Sequence, residues 1–175
     1  MIKSLNGKTP KIAESAFVSE TAYVVGDVEL GENCSIWPGA VVRGDLGKIT
    51  VGKNSVIEDN CVVHSGAPAI PPLANVTIGE NVIIGHGAVS NAVKIGNNVM
   101  ISMNSTLLHN VEIGDYSIIA AGCVVREKMK IPERSFVVGV PAEIKGKISE
   151  EQLWWSQNSP KIYAELAQIY KSEGL

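Results

Sequence analysis

The sequence is poor in the residues that usually announce an activity. It has three histidines and three cysteines in 175 residues, and aromatics make up 5% of it. Cys34, Cys61 and Cys123 are far apart and odd in number, and none forms a CxxC pair, so reduced, packed thiols are expected rather than a disulfide framework. There is no basic excess. Lys and Arg number 15 against 18 Asp and Glu, for a net charge of −3, which offers no electrostatic footprint for nucleic acid. No apolar run approaches membrane-spanning length, and the opening MIKSLNGKTPKIAE lacks the apolar stretch of a secretory signal. The expectation is a cytoplasmic protein of one core, with neither nucleic-acid nor membrane partners.

What the chain does have is a repeat of six. From Ile95 an aliphatic residue recurs at every sixth position: Ile101, Leu107, Ile113, Ile119, Val125 and Ile131. The same step gives Leu30, Ile36 and Val42, then Val51, Ile57 and Val63, then Ile78 and Ile84. Neither an amphipathic helix nor an alternating strand has this period. It is the hexapeptide signature of a parallel β-helix, in which short strands alternate with tight turns and one aliphatic side chain per step points inward. Valine and isoleucine suit the strands, and the segments GEN, GKN, GNN and GDY suit turns with positive φ. The fold class is all-β, with the β-helix over residues 1–147 and a C-terminal helical segment over 148–175 lying along it. In that tail Ser149 and Gln152 are spaced as a capping box, Ile162, Leu166 and Ile169 stand at helical spacing, and Pro160 begins a second segment or kinks one continuous helix. Two insertions break the count: GDLGK, from Gly44 to Lys48, and the proline-rich Ser65 to Asn75, which reads as a pocket rim or a plain surface loop.

If three steps make one coil, Val42, Val63, Ser90, Leu107 and Val125 share one face, and Ile36, Ile57, Ile84, Ile101 and Ile119 share another. Polar residues then fall into columns. Arg43, His64, Asn91 and His109 decorate the first face, and Glu58 and His86 the second. Asn91 and His109 are expected one strand spacing apart, about 4.8 Å. His64 and His86 lie on different faces, so a single atom reaches both only across a closed ring of subunits.

The segments SAFVSETAYVVGDVELGENCSIWPGAVVRGD, EDNCVVH, IGENVIIGHGAV and VGVPA, with the terminal helix, resemble the γ-class carbonic anhydrase family, including its ferripyochelin-binding-like and hexapeptide-transferase-like relatives. The resemblance implies a left-handed β-helix, a homotrimer with a metal between subunits, and reversible hydration of carbon dioxide to bicarbonate by a metal-activated water. It implies zinc, or iron(II) or cobalt(II), held by His64 and by His86 of the adjacent subunit, and an Arg43–Asp45 pair that joins subunits or positions an anion. The third metal histidine of the family falls on Asn91, its active-site glutamine on Glu58 and a nearby asparagine on Val56. An amide is a poor substitute for imidazole on zinc, so Glu58 and His109 stand as replacements, Glu58 giving a His₂Glu set or orienting and deprotonating the water. Two other readings remain open: an acyltransferase or thioesterase with His86 or His109 as base, and a non-catalytic trimeric scaffold or binding protein.

Overall fold

A computed structural model describes residues 1–66 and 75–175. The chain is a left-handed parallel β-helix closed by one C-terminal helix, α1 (Glu150–Glu173). Most strands are two residues long and each pairs in parallel with the strand one coil away. The aliphatic columns are in register: Val42, Val63, Ser90, Leu107 and Val125 on face one; Ile36, Ile57, Ile84, Ile101 and Ile119 on face two; and Leu30, Val51, Ile78, Ile95, Ile113 and Ile131 on face three. These side chains form one continuous core down the axis. A single coil cannot bury its aliphatics, so stability comes from stacking coil on coil.

The turns explain the small and amide residues. Asn33, Asn54, Asn81 and Asn98 all adopt positive φ, and their side chains form a ladder with Nδ2 donating to the next Oδ1 at 3.1–3.2 Å. The glycine that opens each of these segments has a different reason. A Cβ on Gly52 would lie 2.6 Å from the Gly79 carbonyl, so glycine is needed there for close approach of the coils and not for its φ. The insertion GDLGK is no loop: it lies within the strand Val41–Val51, paired with Tyr23–Leu30 through a register shift beside Gly26. Residues 67–74 of the proline-rich insertion lie outside the described residues.

The capping box at Ser149 and Gln152 is present, and α1 runs unbroken through Pro160. Asn158 and Ser159 side chains bond the carbonyls of Trp154 and Trp155 just ahead of that proline. The helix covers face two, but not with the expected stripe. Tyr163, Ala167 and Tyr170 pack on Phe17, Trp37, Val56 and Ile83, with Tyr170 and Tyr163 edge-on to Trp37 at 5.0 and 5.7 Å. Ile162, Leu166 and Ile169 are left exposed, because the tyrosines fill the groove beside the two sheet aromatics. Gln168 Nε2 donates to the Ser15 carbonyl at 2.9 Å, pinning the far end. Among the described residues no helix is long and apolar enough to cross a membrane.

Candidate functional site

His64 ends the strand Val62–His64 on face one, where the ladder sets it beside Arg43. The β-helix thus stacks Arg43, His64 and Asn91 on successive coils, because each directly follows an inward aliphatic or Ser90. Asp45 completes the group two residues along the Arg43 strand. Its Oδ1 lies 2.8 Å from His64 Nε2, and its other oxygen pairs with Arg43. On the opposite side of the ring, Arg43 NH2 stands 3.4 Å and Asn91 Nδ2 3.5 Å from Nδ1. Both of those groups are donors, so Nδ1 accepts and Nε2 carries the proton to Asp45. Burial pushes the Asp45 carboxyl up, but the hydrogen bond from His64 and the charge of Arg43 outweigh it and hold the group below the usual carboxylate range.

A second cluster forms on the turn after face two. His86 has its backbone amide 2.9 Å from Glu58 Oε2, its Nε2 3.1 Å from the same oxygen, and its Nδ1 3.0 Å from Asp59 Oδ2. Glu58 is buried at 5% exposure, whereas the His86 side chain is about half exposed at 48%. A pocket of about 180 Å³ opens beside Glu58, walled by Ile83, Met100, Ile101 and Met103 and by Tyr163 of α1. Burial pushes the Tyr163 phenol up, and the Glu58 carboxylate beside it adds to the shift, so the hydroxyl stays protonated and is a donor at neutral pH.

Of the sequence-derived candidates, then, Arg43, Asp45, His64 and Asn91 come together on one face, and Glu58 and His86 on the next. His109 does not join the Asn91 column. The step from Ser90 to Ile95 is five residues, not six, so Ser90 pairs with Leu107 and Asn91 with Leu108. His109 is the first residue of the following turn and is exposed. Among the described residues of one chain, no group of three His, Cys, Asp or Glu side chains converges on a point. Asp59 and Tyr163 were not anticipated; the adjacent acids of EDN pointed to the first, and the spacing of Tyr163 from Tyr170 to the second.

The family model for the bacterial transferase hexapeptide (six repeats) matches residues 9–44 and 92–127. A carbonic anhydrase of Geobacillus kaustophilus is 33% identical over 98% of this chain and 92% of its own length. The chain belongs to the γ-carbonic-anhydrase-like hexapeptide-repeat family. The mitochondrial γ carbonic anhydrase 2 of Arabidopsis thaliana is 36% identical over 95% of the chain, which spans only 60% of that relative. Among solved members, a hexapeptide transferase family protein from Anaplasma phagocytophilum superposes with a TM-score of 0.89 at 32% identity, covering 97% of each chain. More distantly, the Vibrio cholerae hexapeptide-repeat acetyltransferase complexed with acetyl coenzyme A gives a TM-score of 0.56 at 26% identity, over 69% of this chain and 70% of that one. The family therefore includes proteins named for two chemistries, and the side chains of this member must decide between them.

Proposed function

We propose that copies of this chain close into a homotrimer in which His64 and Asn91 of one copy meet His86 of the next around a divalent metal ion, and that this site hydrates carbon dioxide reversibly. The observation that carries the reading is the division of the donors. His64 and Asn91 share face one, His86 stands on the turn after face two, and a closed ring sets one against the other. The relatives named carbonic anhydrase in Geobacillus and Arabidopsis support it.

Two imidazoles, an amide oxygen and the Glu58 carboxylate are nitrogen and oxygen donors, and in type they fit zinc, iron(II) or cobalt(II). The neutral amide makes the fit a loose one. When bound, such an ion brings the pKa of a coordinated water to near 7. The chain's own residues do the rest. Asp45 fixes the tautomer and tilt of His64 through its 2.8 Å bond. Glu58 holds both the backbone and the ring of His86. Arg43, anchored by Asp45 and close to His64, is the guanidinium that receives bicarbonate. Glu58 and Asp59, on either side of the His86 ring, are the acceptors nearest a departing proton.

The test is elemental analysis of anaerobically purified protein together with stopped-flow hydration of carbon dioxide, for the native chain and for Asn91→His. Metal is expected in both, with occupancy and rate about tenfold higher in the variant, because it restores a third imidazole. Metal-free proteins with no rate above buffer would sink the reading. A second reading, acyl transfer with His86 as base, is favoured by the apolar pocket beside Glu58, which exceeds what carbon dioxide needs. Among the described residues no lysine or arginine lines that pocket to meet the phosphates of coenzyme A. Calorimetry showing acyl-CoA binding, with no hydration of carbon dioxide, would reverse the order of the two.

A further inference from the structure

Helix α1 lies over face two and overhangs a corner of the β-helix on each side, with unlike flanks. Successive residues turn about 100° around a helix, so with Pro160, Tyr163, Ala167 and Tyr170 turned to the sheet, the residues just after them lie on one flank and those just before them on the other. The second flank is apolar and carries Trp155, Ile162, Leu166 and Ile169, on the side of the corner that bears His86. The first is polar: Gln157, Lys161 and Gln168 face the asparagine ladder across a cavity of about 410 Å³, a size ordinary for a small-molecule site. The ladder stands on the turn between faces three and two, one corner away from His86. Among the described residues, none of those in the two histidine clusters lines this cavity.

Its floor is a row of half-buried amides, Asn33, Asn54 and Asn81. A side-chain amide offers two N–H donors and two oxygen lone pairs. The ladder uses one of each at Asn54 and at Asn81, so each of these rungs keeps one donor and one acceptor for whatever fills the groove. The backbone alone does not call for amides. Tyr116 and Arg134 take the same positive φ, 58° each, on the turns that continue the column. On the helix side Gln157 adds a further amide, and Lys161 and Glu165, four residues apart, put both signs of charge on the rim. Gln168, held by the Ser15 carbonyl, fixes the far wall.

We infer that the groove between α1 and the asparagine ladder binds an uncharged saccharide of about two rings. An anion brings only acceptors and leaves the amide oxygens unmatched; an ammonium brings only donors and leaves the N–H groups unmatched. A hydroxyl does both. The rungs are one coil apart, about 4.8 Å, and equatorial hydroxyls on alternate carbons of a pyranose ring stand at close to that separation. An extended peptide also donates and accepts, but its same-side groups recur every second residue, roughly 6.6 Å, and fall out of step within two rungs. From Asn33 to Asn81 is two coil spacings, about 10 Å, the length of two linked rings. Lys161 and Glu165 then serve as donor and acceptor to hydroxyls at the rim. This site does not depend on the metal reading above.

The test is saturation-transfer NMR of the native protein with cellobiose, maltose and lactose, beside end-blocked triglycine and propionate. Transfer is expected to at least one disaccharide and to neither comparison compound. Titration with that sugar should shift the side-chain amide resonances of Asn54 and Asn81 and leave that of Asn91, on face one, in place. Gln157 and Lys161 are both exposed, so the Gln157→Ala, Lys161→Ala double variant should keep its urea midpoint and bind the sugar about tenfold more weakly, the loss of two hydrogen bonds. Silence from all three disaccharides overturns the inference, as does stronger transfer to triglycine or propionate. A sugar that moves Asn91 and not the ladder overturns it too. The ladder resonances decide the matter even if the double variant fails to fold.

Discussion

Replacing Asp45 with asparagine keeps the shape of the side chain and removes its charge, which isolates the electrostatic part of the face-one cluster. Asp45 and His64 are each only 18% exposed at the side chain, so the 2.8 Å bond between them is poorly screened. A hydrogen bond to a charged group contributes about 1.5–3 kcal/mol, roughly twice its neutral equivalent. Arg43 is 43% exposed, and its pair with Asp45 is discounted for solvent to well under about 1 kcal/mol. Asp45→Asn should therefore cost about 1–2 kcal/mol at pH 7. The pH dependence follows from the lowered carboxyl. The folded pKa lies below the ordinary 3.8, so the stabilisation is complete above that value and is lost as pH falls through the folded pKa. Urea midpoints for the two proteins at fixed concentration should differ clearly at pH 7 and less at pH 3, which is below the ordinary carboxyl value. The same difference at both values would refute the assignment of that energy to an ionised Asp45.

Three further outcomes follow from the scaffold. Ile101 is fully buried in mid-column on face two, so Ile101→Ala should lower unfolding stability by about 2–5 kcal/mol in denaturant titration. In Gly52→Ala the new methyl would meet the Gly79 backbone at 2.6 Å, and thermal unfolding should fall by an amount equivalent to at least about 1–3 kcal/mol; an unchanged midpoint would show that the coils separate freely. Burial pushes the Cys34 and Cys61 thiols up to about 11 and about 12, so iodoacetamide at pH 8 should label neither until denaturant is added.

The coil architecture was legible because period six has one explanation, and every aliphatic on the three columns entered the core. The divided placement of His64 and His86 was equally legible, since it needed only the order of faces. Two readings failed locally. His109 was placed by assuming a uniform eighteen-residue coil, whereas the five-residue step from Ser90 to Ile95 shortens that coil and puts Leu108 beside Asn91. The shortened step is visible in the spacing itself. The stripe of α1 was assigned to its isoleucines and leucine, but the receiving surface is built from Phe17 and Trp37, and tyrosine edges fit those rings better than branched aliphatics. Hydrophobicity alone could not tell the stripe that packs within the chain from one that is left over.

That leftover strip also bears on what drives assembly. Within one chain both histidines are already satisfied, His64 by Asp45 and His86 by Glu58 and Asp59. Among the described residues no buried polar side-chain atom lacks a partner. The polar groups therefore gain little from a second copy, and a metal must compete with carboxylates already in place. The apolar flank has no such alternative. Trp155, Ile162, Leu166 and Ile169 of α1, with Met103 nearby, are 37–55% exposed, on the order of 500 Å² of apolar surface whose removal from water at about 25 cal/mol per Å² offsets about 12 kcal/mol of the entropy of association and side-chain ordering. In the ring proposed above, the neutral amide keeps the metal site weak, so the subunits should assemble first and take up metal afterwards. Dialysis against a chelator should strip metal and any hydration of carbon dioxide while the sedimenting mass stays constant. If the assembly falls apart to single chains as metal leaves, coordination rather than the strip holds it together, and the order of events is the opposite.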